Sequence, residues 1–219
     1  VVIYASGEVK MLENLVKQLK TQDYPKDKYA IYIILDKCIN PPEIIFQSDI
    51  DVNVINVDID NIEPIGKSQA YSIIAEKLGE APNLDAFVFI DAKNYVDSDF
   101  LSNINFYLTK NDVFMPMVDY ICENENISFW DYVKLTYFRY LSKFIYTSRS
   151  RLGLTNLINT DTFIIRREIL SGIGSFDFRN RISETNYTLK LAKEGIKTSF
   201  IEDIKIYTDI ENYTSRVPS

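Results

Sequence analysis

Residues 86–90 form an unbroken apolar run, AFVFI, bounded by Asp85 and Asp91. A short run rich in Val, Ile and Phe, closed by polar residues on both sides, is typical of a strand buried on both faces of a parallel sheet. Lys93 and Asn94 follow after Ala92. In open α/β sheets, ligands bind just beyond the carboxyl ends of the strands. The run therefore predicts a buried sheet with a polar site at its edge.

Other apolar runs alternate with helical patterns along the chain. Strands are predicted at residues 1–5, 29–35, 52–57, 113–117, 162–165 and 198–207. Helices are predicted at residues 8–21, 69–78, 99–108, 127–146 and 184–194. Strands that alternate with helices at this pace indicate βαβ units. We therefore predict an α/β fold with a mainly parallel central sheet flanked by helices.

Composition excludes several classes of function. Acidic residues outnumber basic residues by 31 to 24, giving a net charge of -7, which argues against nucleic-acid binding. The chain has no histidine, so Ser-His-Asp catalysis, Cys-His catalysis and the common zinc sites are removed. Acid–base chemistry then falls to carboxylates, lysine or tyrosine. Two cysteines, Cys38 and Cys122, are too few for a disulfide framework and fit a reducing compartment.

No apolar run approaches the roughly 18 residues needed to span a bilayer, and no signal peptide is recognisable. Because the chain begins at Val1 inside a predicted strand, we interpret it as a piece of a longer protein whose flanks could hold membrane helices. The aromatic stretch at residues 127–146 has two interpretations. It is either a membrane-surface or partner-docking helix, or a helix half-buried against the sheet, which ordinary amphipathic packing favours.

Four charged residues fall after predicted strands or before predicted helices, namely Asp36, Lys67, Asp91 and Glu184. In a parallel sheet those positions converge on one crevice. Each also has an ordinary structural interpretation, since such residues often cap a helix or complement its dipole. The order and spacing of the whole set favour a common site.

Several segments resemble the family-2 glycosyltransferases, particularly the membrane-embedded branch with the cellulose, chitin and hyaluronan synthases. VVIYASGE resembles the opening strand and P-x-x-N-E turn, and QDYPKDKYAIYIILDKCIN resembles Q-x-Y-P, a strand and D-N-C-T-D. GKSQA is similar to G-K-x-x-A, and DAKNYVDSDFL is similar to D-A-D-N-x-V-x-P-x-F-L. RSRLGLTNLINTDTFIIRREIL resembles the acceptor-side segment, and SETNYTLKLAKEGIK is similar to E-D-T-E-F-T-L-R-L-x-x-x-G. The resemblance covers essentially the whole chain.

This resemblance implies a GT-A fold, the α/β fold of nucleotide-diphospho-sugar transferases, as one domain over residues 1–219. Residues 1–101 would form the nucleotide-binding half and residues 102–219 the acceptor-side half. The implied reaction is inverting hexosyl transfer from a UDP- or GDP-linked sugar to a glycan hydroxyl, with no nucleic-acid partner. The implied location is the cytoplasmic face of a membrane, with the domain tethered in a longer membrane protein.

Matching positions imply the roles of individual residues. The nucleotide-sugar would be bound by Tyr4, Glu8, Asp36, Lys67, Asp91 and Lys93. Thr160 and Asp161 would lie on the acceptor side, and Glu184 would be the catalytic base. Asp91 would also be a metal ligand.

Two of these positions depart from the family pattern. The family holds Mg²⁺ or Mn²⁺ with D-x-D, and here the second aspartate is Lys93, whose charge disfavours a divalent cation. Lys93 has further interpretations as a direct diphosphate ligand, as a solvent-exposed side chain or as a partner of Asp91. Glu184 replaces an aspartate and adds a methylene, and a shift of about 1 Å can cost roughly a hundredfold in rate.

These residues and the resemblance leave three candidate functions. The first is the glycosyltransferase, and the second is a catalytically inactive homologue acting as a nucleotide-, glycan- or protein-binding scaffold. The third, a flavodoxin-like binding domain, is disfavoured because the expected glycine-rich phosphate loop is absent from the sequence.

Overall fold

A computed structural model describes residues 1–8, 10–39, 51–57, 64–78, 83–121, 128–158, 162–173 and 183–209. Its strands are β1 (Val2–Glu8), β2 (Ile31–Ile39), β3 (Val52–Val57), β4 (Ala86–Asp91), β5 (Asn94–Val96), β6 (Val113–Ile121), β7 (Phe163–Arg166) and β8 (Thr198–Asp209). Its helices are α1 (Lys10–Lys20), α2 (Lys67–Leu78), α3 (Phe100–Leu108), α4 (Phe129–Tyr140), α5 (Thr147–Arg151), α6 (Arg167–Ile173) and α7 (Ser183–Lys193). A 3-10 turn occupies Lys26–Lys28, and a π-helical turn at Leu141–Tyr146 joins α4 to α5.

The described strands form one eight-stranded sheet in the order β3-β2-β1-β4-β7-β6-β8-β5. The pairs β1–β2, β2–β3, β1–β4 and β6–β8 are parallel, while β4–β7, β6–β7 and β5–β8 are antiparallel. Helix α1 returns the chain so that β2 runs parallel beside β1, and α2 returns it so that β4 runs parallel on the other side of β1. The predicted α/β fold with a mainly parallel sheet is confirmed.

Both faces of the sheet are covered, which explains the unbroken apolar run in β4. Val88 and Ile90 pack in one core cluster with α1 and α3. Phe87 and Phe89 point to the opposite face and pack in a second cluster with α2 and α7. Alternate residues of this strand are therefore apolar for two different neighbours, as the sequence pattern predicted.

Three local predictions differ from the structure. Glu8, predicted to begin a helix, is the last residue of β1, where it pairs with Ile39 after a register shift. Strand β5 was not predicted, because three residues give too short a pattern and their pairing with β8 is long-range. The predicted helix at residues 127–146 is α-helical only to Tyr140 and continues as the π-helical turn.

Helix α4 contacts the sheet along one side and holds no buried residue. The ring of Phe138 stacks on Tyr120 of β6 at 4.5 Å between centroids, and Tyr146 contacts Phe200 of β8 at 5.5 Å. Its other side is exposed. Across the part of the chain that the structure describes, no helix has the length and apolar character to cross a bilayer.

Candidate functional site

The carboxyl ends of β1, β2 and β4 lie side by side in the sheet. Strand β1 pairs in parallel with both neighbours, so that Tyr4 is opposite Asp91 in β4 and Ser6 is opposite Asp36 in β2. The sheet therefore brings Asp36 and Asp91 to the same edge, one on each side of β1. Their proximity follows from parallel pairing, because parallel strands end at a common edge.

Asp36 is fully buried and accepts three hydrogen bonds. Its Oδ2 accepts from the Tyr4 hydroxyl at 2.8 Å and from the Gly66 N–H at 2.9 Å. Its Oδ1 accepts from the Ile65 N–H at 3.1 Å. A buried carboxylate needs such donors to offset its desolvation. Asp36 thus anchors the residues before α2 to the end of β2.

Tyr4 is a hydrogen-bond donor at this site rather than an acid or base near neutral pH. Burial raises the pKa of its hydroxyl far above the ordinary value, and the hydrogen bond to the Asp36 carboxylate raises the pKa further. Its ring also meets the ring of Tyr71 of α2 edge to face, with 6.2 Å between centroids. The proton therefore stays on Tyr4.

Backbone geometry supports the same junction. Gly66 has a φ of 86°, in the left-handed region that favours glycine. No atom would lie within 4 Å of a Cβ added at this position, so the backbone conformation rather than crowding favours glycine here. Lys37, directly after Asp36, is a non-glycine residue in that region with a φ of 54°. The chain thus turns sharply at both ends of the Asp36 hydrogen-bond network.

Asp91 is paired by Lys67. The Lys67 Nζ lies 3.2 Å from the Asp91 Oδ2, with side chains only 14% and 6% exposed. The Asp91 Oδ1 accepts the backbone N–H of Lys93 at 3.0 Å. The contact between Lys93 and Asp91 is therefore made by the Lys93 backbone and not by its side chain, as one interpretation of Lys93 had predicted. Among the described residues, the ammonium that Asp91 meets is that of Lys67.

A buried contact joins this loop to the second half of the chain. The Asn94 side-chain amide donates to the Thr162 hydroxyl at 3.0 Å, and both residues are buried. Thr162 directly precedes β7 and follows residues 159–161. Sequence reasoning did not single out Thr162 or Tyr71, because a threonine before a strand and a tyrosine in a helix match ordinary propensity patterns.

Glu184 lies in the first turn of α7 and is half-buried. Its carbonyl accepts from the Thr188 hydroxyl at 3.0 Å, and that hydroxyl accepts from the Ile158 N–H at 2.9 Å. The start of α7 is thereby tied to the segment that leads to Thr160 and Asp161. Those two residues lie outside the described part of the chain, and Glu8 is described through its backbone.

The described residues do not fit a divalent cation. They contain no group of three or more His, Cys, Asp or Glu side chains placed to share a metal ion. The oxygens of Asp36 accept from Tyr4, Ile65 and Gly66, and Asp91 carries the Lys67 ammonium. A second cation against that carboxylate would meet like-charge repulsion. The site instead presents an ammonium group at the start of α2.

The fold matches solved glycosyltransferase structures. TarS of S. aureus has a TM-score of 0.67 at 16% identity, over 95% of this chain and 36% of that one. Mannosyltransferase PcManGT from Pyrobaculum calidifontis, in complex with GDP-Man and Mn²⁺, has a TM-score of 0.65 at 15% identity, over 94% and 56%. GalNAc-T7, with UDP, GalNAc and Mn²⁺, has a TM-score of 0.63 at 14% identity, over 95% and 43%.

The chain therefore has the GT-A fold of these glycosyltransferases. It spans 36% of the TarS chain, 56% of the PcManGT chain and 43% of the GalNAc-T7 chain. No protein-family model and no curated protein matches the sequence. At these identities the likeness defines the fold, and function has to be argued from the side chains.

Proposed function

We propose that this chain is a glycosyltransferase domain that binds a nucleotide-diphospho-sugar where β1, β2 and β4 end. The observation that carries the proposal is the shielded Lys67–Asp91 pair at that edge. An ammonium group at the start of a 12-residue helix favours an anionic ligand, since the helix dipole adds positive potential there. The same fold occurs in TarS, solved with UDP-GlcNAc, and in PcManGT, solved with GDP-Man.

We assign the neighbouring residues by their positions around this pair. Tyr4 and Glu8 in β1 would border the nucleotide, and Asp36 would hold Gly66 and Lys67 in place beside it. Lys67 and Lys93 would face the diphosphate, with Asp91 orienting Lys67. Two ammonium groups would then offset diphosphate charge without Mg²⁺ or Mn²⁺, so donor binding should be independent of metal.

In the proposed reaction an acceptor hydroxyl oxygen attacks the anomeric carbon of the donor sugar with inversion. The bond from that carbon to the diphosphate breaks, the nucleoside diphosphate leaves, and the Glu184 carboxylate takes the hydroxyl proton. The position of Glu184 supports this role, because α7 is tied through Thr188 to the segment before Thr160 and Asp161. Thr160 and Asp161 would contact the acceptor glycan.

The sequence resemblance supports the finer part of the proposal. It favours the membrane-embedded family-2 branch, with residues 1–219 as one domain, a nucleotide-binding half at 1–101 and an acceptor-side half at 102–219. It also favours tethering at the cytoplasmic face of a membrane.

The second candidate is a catalytically inactive homologue that binds nucleotide, glycan or a protein as a scaffold. Lys93 in place of an acidic ligand favours it, as does the lack of a metal-binding cluster among the described residues. A scaffold that binds nucleotide would also place an anionic ligand at Lys67, so turnover separates it from the transferase, whereas a scaffold for glycan or protein would not bind nucleotide.

Calorimetric titration with UDP and GDP, in EDTA and in Mn²⁺, tests the binding step. We expect the same Kd with and without metal. Lys67→Gln should weaken binding at least about tenfold, since a charge-assisted hydrogen bond contributes about 1.5–3 kcal/mol. Lys77→Gln, at the other end of α2, is the matched control and should leave the Kd unchanged. Absence of binding to both nucleotides would contradict the proposal.

Hydrolysis or transfer of UDP-GlcNAc and GDP-mannose tests the chemical step. Glu184→Gln should abolish turnover while leaving nucleotide binding nearly unchanged, because the substitution removes the base and keeps the side-chain size. Glu194→Gln, beyond the other end of α7, should retain turnover. Nucleotide binding by the native chain without turnover of any donor would favour the scaffold.

Lys93→Asp tests the placement of Lys93. The substitution should make nucleotide binding depend on Mn²⁺, and a variant with no response to Mn²⁺ would count against that placement.

A further inference from the structure

The helical segment at residues 128–151 exposes a row of large apolar side chains. We call this row the aromatic face; its residues are Phe129, Trp130, Val133, Tyr137, Tyr140 and Phe144. Trp130 is 68% exposed and Phe144 is 65% exposed. Residues 129, 133 and 137 follow one another at four-residue spacing, as do 140 and 144, so they line one side of the helix. The rings of Tyr140 and Phe144 stack at 5.2 Å.

The fold does not need these side chains for its core. The opposite side of the segment already packs on the sheet through Phe138 and Tyr146, and Ser142 and Thr147 are buried beneath it. A contiguous apolar row on a protein surface usually marks an interaction site. The aromatic face therefore has the character of an interaction site.

The charge of the segment identifies the kind of partner. Residues 128–151 hold five basic residues and one acidic residue, a net charge of +4, in a chain whose net charge is -7. Arg139 and Lys143 lie four residues apart beside the aromatic face and are exposed. Arg139 has only a 4.0 Å contact with Asp119, and no carboxylate among the described residues pairs with Lys143. Lys134 and Arg151 pair with Asp131 and Glu202, so it is Arg139 and Lys143 that offer basic charge to an anionic surface.

We propose that the aromatic face binds the surface of a bilayer containing anionic phospholipids. Trp, Tyr and Phe side chains insert at the headgroup level, and nearby Lys and Arg are attracted to anionic lipid. Aromatic residues and arginine are also enriched where proteins meet, so the exposed basic charge beside the aromatic face is what favours an anionic lipid surface. The proposal stands on α4 and the π-helical turn alone and is independent of the proposed transferase activity.

Trp130 reports directly on this contact because it is the single tryptophan of the chain. The chain is mixed with vesicles of phosphatidylcholine and phosphatidylserine at 7:3, or of phosphatidylcholine alone. We expect co-sedimentation with the mixed vesicles and a blue shift of Trp130 emission. Vesicles of phosphatidylcholine alone should bind much less, and 0.5 M NaCl should release most of the bound protein.

Two variants test the two contributions. Arg139→Glu with Lys143→Glu should lower partitioning into the mixed vesicles at least tenfold, since each basic residue near the surface strengthens binding several-fold. Phe144→Ala should also weaken it, because a buried aromatic ring is lost. Phe106→Ala is the matched control: this aromatic side chain on α3 is 55% exposed, lies outside the aromatic face, and should have no effect.

Three outcomes would overturn the proposal. One is an unshifted Trp130 emission with the protein left in the supernatant, and another is equal binding to both kinds of vesicle. The third is a concentration-dependent dimer in sedimentation velocity that Phe144→Ala dissolves, which would assign the face to a second copy of the chain. Circular dichroism of each variant verifies folding, and the salt dependence of the native chain decides the question if a variant misfolds.

Discussion

Asp36 and Asp91 are both carboxylates at the end of a parallel strand, yet their surroundings give them different tasks. Asp36 accepts neutral donors from Tyr4, Ile65 and Gly66 and is fully buried. Asp91 faces an ammonium, that of Lys67. The first arrangement fixes backbone, whereas the second holds a charged group at the crevice. A strand-end aspartate alone does not distinguish these tasks, because both patterns begin with the same residue.

Tyr4→Phe tests the role of the Asp36 network at the residue scale. The substitution keeps the ring but removes one donor from a buried carboxylate, so we expect a loss of about 2 kcal/mol in the free energy of unfolding. Urea denaturation measures it. Tyr207→Phe is the matched control, since the Tyr207 hydroxyl donates to the exposed Asp97 at 2.9 Å. Tyr207→Phe should lose no more than about 0.5 kcal/mol in the free energy of unfolding. If Tyr4→Phe loses no more than this control, Asp36 finds another donor.

At the scale of elements, the helical segment from α4 to α5 combines a fixed start with a widened turn. Ser128 and Asp131 form a capping box at its start. The π-helical turn follows because Ser142 and Thr147, five residues apart, both face inward, and the Thr147 hydroxyl donates to the Ser142 carbonyl at 3.0 Å. The wide turn allows the segment to keep one side on the sheet while presenting the aromatic face outward.

Ser128→Ala tests the capping box. The Ser128 hydroxyl accepts a hydrogen bond from the Asp131 N–H and donates one to the Asp131 carboxylate. The bond to the carboxylate is the main cause of the lowered pKa of Asp131. Removing it should cost about 1 kcal/mol in the free energy of unfolding, measured in urea. Ser148→Ala, an exposed serine of α5, is the control and should be neutral or slightly stabilising, because alanine favours a helix interior. A neutral Ser128→Ala would mean that α4 does not depend on its cap.

On the scale of the whole molecule, tyrosines that are partly or fully buried make the fold sensitive to alkali. Burial raises the pKa of Tyr29, Tyr32 and Tyr187, as it does that of Tyr4, and the pKa of Tyr207 is raised to about 12. In the unfolded chain these hydroxyls ionise near pH 10. The unfolded state therefore loses protons first, so stability is fully present below about pH 10 and falls as the pH rises.

The Tyr4→Phe variant isolates one part of this decline. In the unsubstituted protein, ionisation of the Tyr4 hydroxyl stabilises the unfolded state above about pH 10. The variant has no hydroxyl at this position and lacks that effect. Its deficit relative to the native chain should therefore shrink by about 1.4 kcal/mol between pH 8 and pH 11. Urea denaturation of both proteins at the two pH values measures the change. A deficit that stays constant would mean that Tyr4 ionises as readily in the folded state as in the unfolded state.

The sequence predicted the elements that a local pattern can encode. The run in β4 is apolar at every position because alternate residues meet different core clusters, and this was visible before the structure. The positions after strands and before helices predicted one crevice shared by Asp36, Lys67, Asp91 and Glu184. Contacts among β1, β2, β4 and α2 bring the first three to one edge of the sheet. The role of Glu184 stays a prediction, and Thr160 and Asp161 lie outside the described residues.

By itself, then, the sequence determined the periodic helices and strands, the α/β class and the common edge, because hydrophobic period and parallel connection are local properties of the chain. Only the tertiary structure decided that the ammonium group of Lys67 rather than that of Lys93 pairs with the Asp91 carboxylate, that Asn94 reaches Thr162, and that β5 pairs with β8. Each of these contacts joins residues distant in sequence, and its geometry depends on how helices and strands pack. No local pattern carries that information.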